Sequence, residues 1–168
     1  MATRLSFELK DETGMIIPME EAVLGRHAEI YQYNFCIEIP VDKGTGKVTG
    51  IREYSPLEIT KPIDKSSPVI YQKLTDGIKL KEATIRFYRH DPMQGVEKEF
   101  YNIKFEDLTV IRQKQCVLDT QSEPGRSMPP IEKISMVAER VTKTIMDGHI
   151  AHTDEYRKKE RRVVASAA

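Results

Sequence analysis

Gly50-Ile51-Arg52-Glu53-Tyr54-Ser55-Pro56-Leu57-Glu58-Ile59-Thr60-Lys61-Pro62-Ile63-Asp64-Lys65-Ser66-Ser67-Pro68 sets a strand signal directly against a helix start. Leu57, Ile59 and Ile63 share one face of an extended chain, because side chains alternate with period two. Lys61 interrupts that face. An ammonium among aliphatic neighbours requires a counter-charge or water. Two placements satisfy it: a carboxylate or carbonyl within the fold, or a channel or neighbouring subunit. Just downstream, Ser66 or Ser67 can cap a helix, Pro68 suits its first position, and Gly77 suits the left-handed residue past its end. These signals predict a helix from about Val69 to Asp76, about 12 Å long. Ile70 and Leu74 make too narrow a stripe for it to stand alone, so it must dock on a sheet.

Strand signals surround this stretch. Leu5, Phe7 and Leu9 alternate with polar residues, as do Tyr31, Tyr33, Phe35, Ile37 and Ile39. Ala83, Ile85 and Phe87 form another set, and Tyr101, Ile103 and Phe105 a further one, separated by Asp91-Pro92-Met93-Gln94-Gly95, a hairpin turn by composition. Ile131 to Met146 is ambiguous: Ile134, Val137, Ala138, Val141 and Ile145 fit a helical face, yet Ile134, Met136 and Ala138 alternate and β-branched residues abound. With no internal repeat, many short strands and one short helix predict a β-barrel or sandwich.

The connections differ in character. Pro40 to Glu53 holds Gly44, Gly46 and Gly50 together with Lys43, Lys47 and Arg52, which predicts a long polar excursion between strands. Thr120 to Pro130 contains Pro124, Gly125, Pro129 and Pro130 and belongs outside any sheet interior. The stretch from Asp154 to Arg162 is strongly basic and reads as a solvated end.

At 168 residues the chain suits one domain with one core. Lysine plus arginine and aspartate plus glutamate each number 26, so net charge supplies no attraction to nucleic acid or anionic membranes. The charged residues of the first fifteen positions leave no room for an apolar signal-peptide core, and no apolar run approaches membrane-spanning length. Cys36 and Cys116 match no metal spacing and are expected to be reduced packing residues.

Catalytic and ligand motifs fall short of their chemical requirements. Gly44-Thr45-Gly46-Lys47 lacks the earlier glycine and the following hydroxyl of a phosphate loop, Val41 and Val48 standing there instead. His149, His152 and Asp154 offer donors without a further ligand of clear spacing. No nucleophile elbow is present, and His90 beside Asp91 belongs to a hairpin end.

The ordered series does carry a resemblance. Gly50 through Pro68, then Leu74, Gly77, Leu80, Thr84-Ile85-Arg86-Phe87-Tyr88-Arg89, Gly95, Tyr101-Asn102-Ile103-Lys104-Phe105-Glu106-Asp107-Leu108-Thr109-Val110 and Pro130-Ile131-Glu132-Lys133-Ile134-Ser135 together resemble the haemolysin-coregulated protein family of type VI secretion systems. The resemblance runs from about Ile30 to Ile145, with Tyr54 where that family has a histidine. It implies a mainly β fold, a compact β-barrel of two sheets with one short flanking α-helix, and it resolves Ile131 to Met146 toward strand. Residues 1–153 are then expected to be one barrel domain and 154–168 a charged, flexible tail. It further implies a non-enzymatic subunit without cofactor or metal, a homo-hexamer stacked into a tube, with a contractile sheath, spike proteins and secreted effectors as partners. Neither nucleic-acid binding nor membrane insertion is expected. The protein would be cytoplasmic during assembly and then secreted without a signal peptide. Lys43, Lys47 and Arg52 would lie on a ring-stacking loop, and Lys61 would be a candidate lumen or subunit contact. The rival expectation is a cytosolic β-barrel module binding a small apolar ligand.

Overall fold

The computed structural model describes residues 4–19 and 27–156. In chain order these form β1 (Arg4–Lys10), β2 (Ala28–Glu29), β3 (Gln32–Asn34), β4 (Ile37–Glu38), β5 (Glu53–Tyr54), β6 (Leu57–Pro62), α1 (Ser67–Asp76), β7 (Leu80–Asp91), β8 (Val96–Cys116), α2 (Glu123–Ser127), β9 (Ile131–Ile145), a 3-10 turn (Asp147–His149) and β10 (Ile150–Glu155). The main sheet runs β2-β1-β7-β8-β9-β6-β3, with β10 also on β9, while β4 and β5 make a separate two-stranded arm.

The main sheet curls because a short segment joins its two ends. The Ile30 amide donates to the Leu5 carbonyl on β1 at 3.2 Å, and the next amide, Tyr31, donates to Thr60 on β6 at 2.8 Å. Inside, Phe7, Leu9, Ile85, Phe105, Leu108 and Met136 are fully buried. Burying a side chain of this size contributes about 1.5–3 kcal/mol, so this interior is the main source of stability. The result is the expected mainly β, barrel-like fold flanked by α1.

Helix α1 begins at Ser67, with Ser66 at the cap position and Pro68 in the first turn. Ser66 makes no side-chain cap bond, because its hydroxyl donates to Asp64 at 2.6 Å. The helix ends as expected at Gly77, whose positive φ of 65° lets its amide reach the Lys73 carbonyl. Fully buried Ile70 plugs the helix into the core.

Segment 131–145 is a strand, paired with β8 on one side and β6 on the other. Burial explains why period two prevails: Ile134 and Met136 are inside, whereas Val137 and Ile145 of the rival helical stripe are 45% and 47% exposed.

Several expectations need correction. The alternation from Tyr31 to Ile39 is two short strands, because the chain leaves the main sheet after Asn34 to build the arm. Ile63 lies past the end of β6 and is exposed. A short helix, α2, forms inside the expected loop, and its Gly125 approaches the Asp119 carbonyl so closely that a Cβ would sit 1.9 Å from that oxygen. Both cysteines are free, with Cys36 exposed and Cys116 half-exposed, so neither packs the core. Asp154 and Glu155 lie in β10, opposite Val141 and Arg140 of β9, and 157–168, the rest of the expected tail, lie outside the described residues.

Candidate functional site

The arm is the least covered part of the described chain. Ile37 pairs with Tyr54, Glu38 with Glu53, and Val41 bridges to Val48 farther out. Its tip is organised by Asp42, whose carboxylate accepts the Gly44 amide at 2.7 Å and whose carbonyl accepts the Gly46 amide at 2.8 Å. The Gly44 amide and then the Thr45 hydroxyl hold the Asp42 carboxyl below its ordinary value. No residue between Cys36 and Ile51 is buried, although Ile39, Val41, Val48 and Ile51 are 54%, 55%, 66% and 59% exposed. Aliphatic side chains at that density leave the thin hairpin with an exposed apolar surface.

The root of the arm, by contrast, is fixed. Phe35 stacks on Tyr54 and meets Phe105 edge-on, at ring separations of 6.0 and 5.1 Å. Arg52 donates to both carboxylate oxygens of Asp154 and, at 3.1 Å, to the Glu155 carbonyl. The Tyr54 hydroxyl donates to the same Asp154 carboxylate. Burial, followed by the bond to Asp154, raises the Tyr54 pKa, while the Tyr54 hydroxyl leads the groups that raise that of Arg52. Lys43 and Lys47 sit exposed at the tip, but Arg52 is apart from them, clamping the arm to β10.

Lys61 lies within the fold and reaches no surface where a lumen or neighbouring subunit could touch it. Its ammonium is fully buried and contacts Asp64 at 2.7 Å and Glu132 at 2.8 Å, and donates to the Pro62 carbonyl at 3.1 Å. Three N–H groups thus meet three acceptors. Fully buried Glu132 also accepts from Ser67 and Gln113, each at 2.8 Å, and Asp64 accepts the Ser66 amide at 2.8 Å. Burial pushes the Asp64 carboxyl up, but the hydrogen bonds from Lys61 and Ser66 and the Lys61 charge outweigh it and hold the group below its ordinary value. Two carboxylates against one ammonium leave an excess negative charge, which the hydroxyl and amide donors at the start of α1 offset. The network ties β6, α1, β8 and β9 at one end of the barrel. Glu132 is the partner that the sequence reading missed, although its register puts it on the inward face with Ile134 and Met136.

Among the described residues the candidate ligands form no metal-holding group: His149 lies in the 3-10 turn and His152 on β10, while Arg52 and Tyr54 occupy Asp154. His90 is paired in register with Glu97 across the hairpin.

A family sequence model described as "Type VI secretion system effector, Hcp" matches residues 24–144. The "Major exported protein" of Pseudomonas aeruginosa is 27% identical over 125 residues, covering 74% of this chain and 72% of its own length. A mutant form of the Hcp1 protein from E. coli EAEC 042 superposes with a TM-score of 0.81 at 32% identity, over 92% of this chain and 99% of that one. The secreted protein Hcp3 from Pseudomonas aeruginosa has a TM-score of 0.71 at 18% identity, over 94% of this chain and 100% of that one, and so shares the fold.

Proposed function

This chain belongs to the Hcp family of type VI secretion proteins, and from that premise we propose that it is a one-domain structural subunit, assembling as hexameric rings that stack into the inner tube of the secretion machine and carry or chaperone effectors. The observation that carries the reading is the arm: Ile39, Val41, Val48 and Ile51 lie bare on a hairpin whose root is rigid. A head-to-tail ring uses two unlike patches of one surface, and rotation closes it without leaving a free end. A projecting apolar hairpin is one such patch, because it offers both side chains and strand edges to the next copy. Lys43 and Lys47 at the tip would then meet the adjacent ring.

Among the described residues no helix is long and apolar enough to cross a membrane. Export in this reading is mechanical: the tube leaves the cytoplasm when a sheath contracts around it, with spike proteins at its end. The part played is a scaffold's, with no catalytic step.

Light scattering coupled to size exclusion tests the ring. The expected mass is six times that of the 19.3 kDa chain, with six-fold annuli in electron micrographs. Val41→Asp combined with Val48→Asp should drop the mass to that of one chain while the circular dichroism spectrum is retained. Lys43→Glu with Lys47→Glu should leave rings intact and shorten tubes, Arg52 being kept because it anchors the arm. A parent protein that remains a single chain at high concentration would overturn the proposal.

A further inference from the structure

Over most of the polar face of the main sheet, charges alternate and are matched. Lys10, Glu82, Lys104, Glu106, Arg140 and Glu155 form a continuous series across β1, β7, β8, β9 and β10, with successive N···O separations of 2.7, 3.8, 3.6, 3.6 and 3.5 Å. Even the like-charged cross-strand pair Glu82 and Glu106 is bridged, by Lys104.

At the other end of β8 and β9 the matching stops. Lys114 is the direct cross-strand partner of Lys133, and Arg112 lies opposite Ser135 on the same side. Among the described residues, these three exposed cations have no ion pair. Like charges directly opposed across two strands destabilise a sheet, so an unbridged pair is a position where an anion would be stabilising. The three cations rim a recess of about 240 Å³, whose one carboxylate is Glu58 and which also carries the Gln32 and Asn34 amides.

We infer that this recess docks an acidic, Asp- and Glu-rich segment of a partner protein. The Arg112 fork and two ammonium groups match side-chain carboxylates, and the amides can bond a peptide backbone. The lining has no aromatic ring on which a base could stack, which disfavours a nucleic acid. As a statement about cargo the inference rests on the carrier reading above: the tube would favour effectors that present acidic segments to it.

The test is fluorescence anisotropy of a labelled oligoglutamate peptide against the full chain, with oligomer mass measured on the same samples. Binding should weaken as salt is added. Replacing Arg112, Lys114 and Lys133 together by Gln should weaken it about tenfold or more, since three charge contacts are removed. Glu58→Gln keeps every cation and should tighten binding, which provides a readout even if the triple variant folds poorly. Peptide affinity indifferent to both variants would overturn the inference, as would a single-stranded DNA oligonucleotide that binds as tightly as the peptide. The two readings fail separately. A single chain that still binds peptide through these residues would refute the ring and leave the docking site standing. A ring whose peptide binding ignores them would do the reverse.

Discussion

Lys61→Met probes the buried ion network most sharply. Lys61 and Glu132 are 0% exposed, and the Asp64 side chain is 4% exposed. Removing the ammonium strands two carboxylates in a site that water does not reach. Breaking a buried pair by deleting one partner costs about 3–5 kcal/mol. For a chain of this size each kcal/mol lowers Tm by about 2–4 °C, so the expected fall is roughly 6–20 °C. Thermal melts by circular dichroism measure it, at one fixed protein concentration because assembly itself stabilises the fold. Glu132→Gln should cost less, since Asp64 still faces Lys61, and the double variant should be milder than the sum of the singles because the two residues share the interaction. A loss under about 1 kcal/mol for Lys61→Met would refute the reasoning, as it would show that the site admits water or sheds its charges without the ammonium.

Acid should act on this network through Asp64, and on the surface series through Glu82. Asp64 and Glu82 both have depressed values; for Glu82, Lys10 outweighs the opposing effect of burial. Their contribution is complete above the unfolded-state values of about 4 and is lost as pH falls through the lower folded-state values. Urea midpoints should therefore hold from pH 7 to about 5 and decline below about 4, and the gap between parent and Lys61→Met should narrow there. Arg52→Met should cost only about 1 kcal/mol, because the Asp154 side chain it pairs with is 32% exposed. Its clearer effect should be faster cutting at Lys43 and Lys47 by a lysine-specific protease; unchanged cleavage would show that Arg52 does not clamp the arm. Gly125→Ala should destabilise by about 1–3 kcal/mol in the same melts, since the new methyl would sit 1.9 Å from the Asp119 carbonyl oxygen.

Much of the barrel was legible because its strands bury one face. Leu5 to Leu9, Ala83 to Phe87 and Tyr101 to Phe105 each announced a strand, and the proline and glycine around α1 marked its ends. Alternation cannot say what covers the apolar face, so Ile37 and Ile39 looked like core and proved to be arm. Lys61 was recognisable as an oddity, whereas its partner Glu132 lies across a strand pairing that no local pattern encodes. Arg52 was expected at a stacking surface, but its carboxylate comes from 102 residues away. The basic recess was hidden for a related reason. A register shift between Val110 and Arg112 decides which cations of β8 stand beside Lys133, and such a shift is a property of two strands together.

The position of β9 bears on how the protein is made. β9 lies between β8 and β6, yet it is the last of the three to be synthesised. When β6 emerges from the ribosome, the strand that must cover it is still more than sixty residues from being translated. At 5–20 residues per second that delay is on the order of several seconds. Throughout it β6 has only the three-residue strand β3 to pair with, and its other edge, left open for β9, invites pairing with a neighbouring polypeptide on the same message. Translation speed across the 96–145 coding region therefore becomes a determinant of yield, and slowing it should favour aggregates over native subunits.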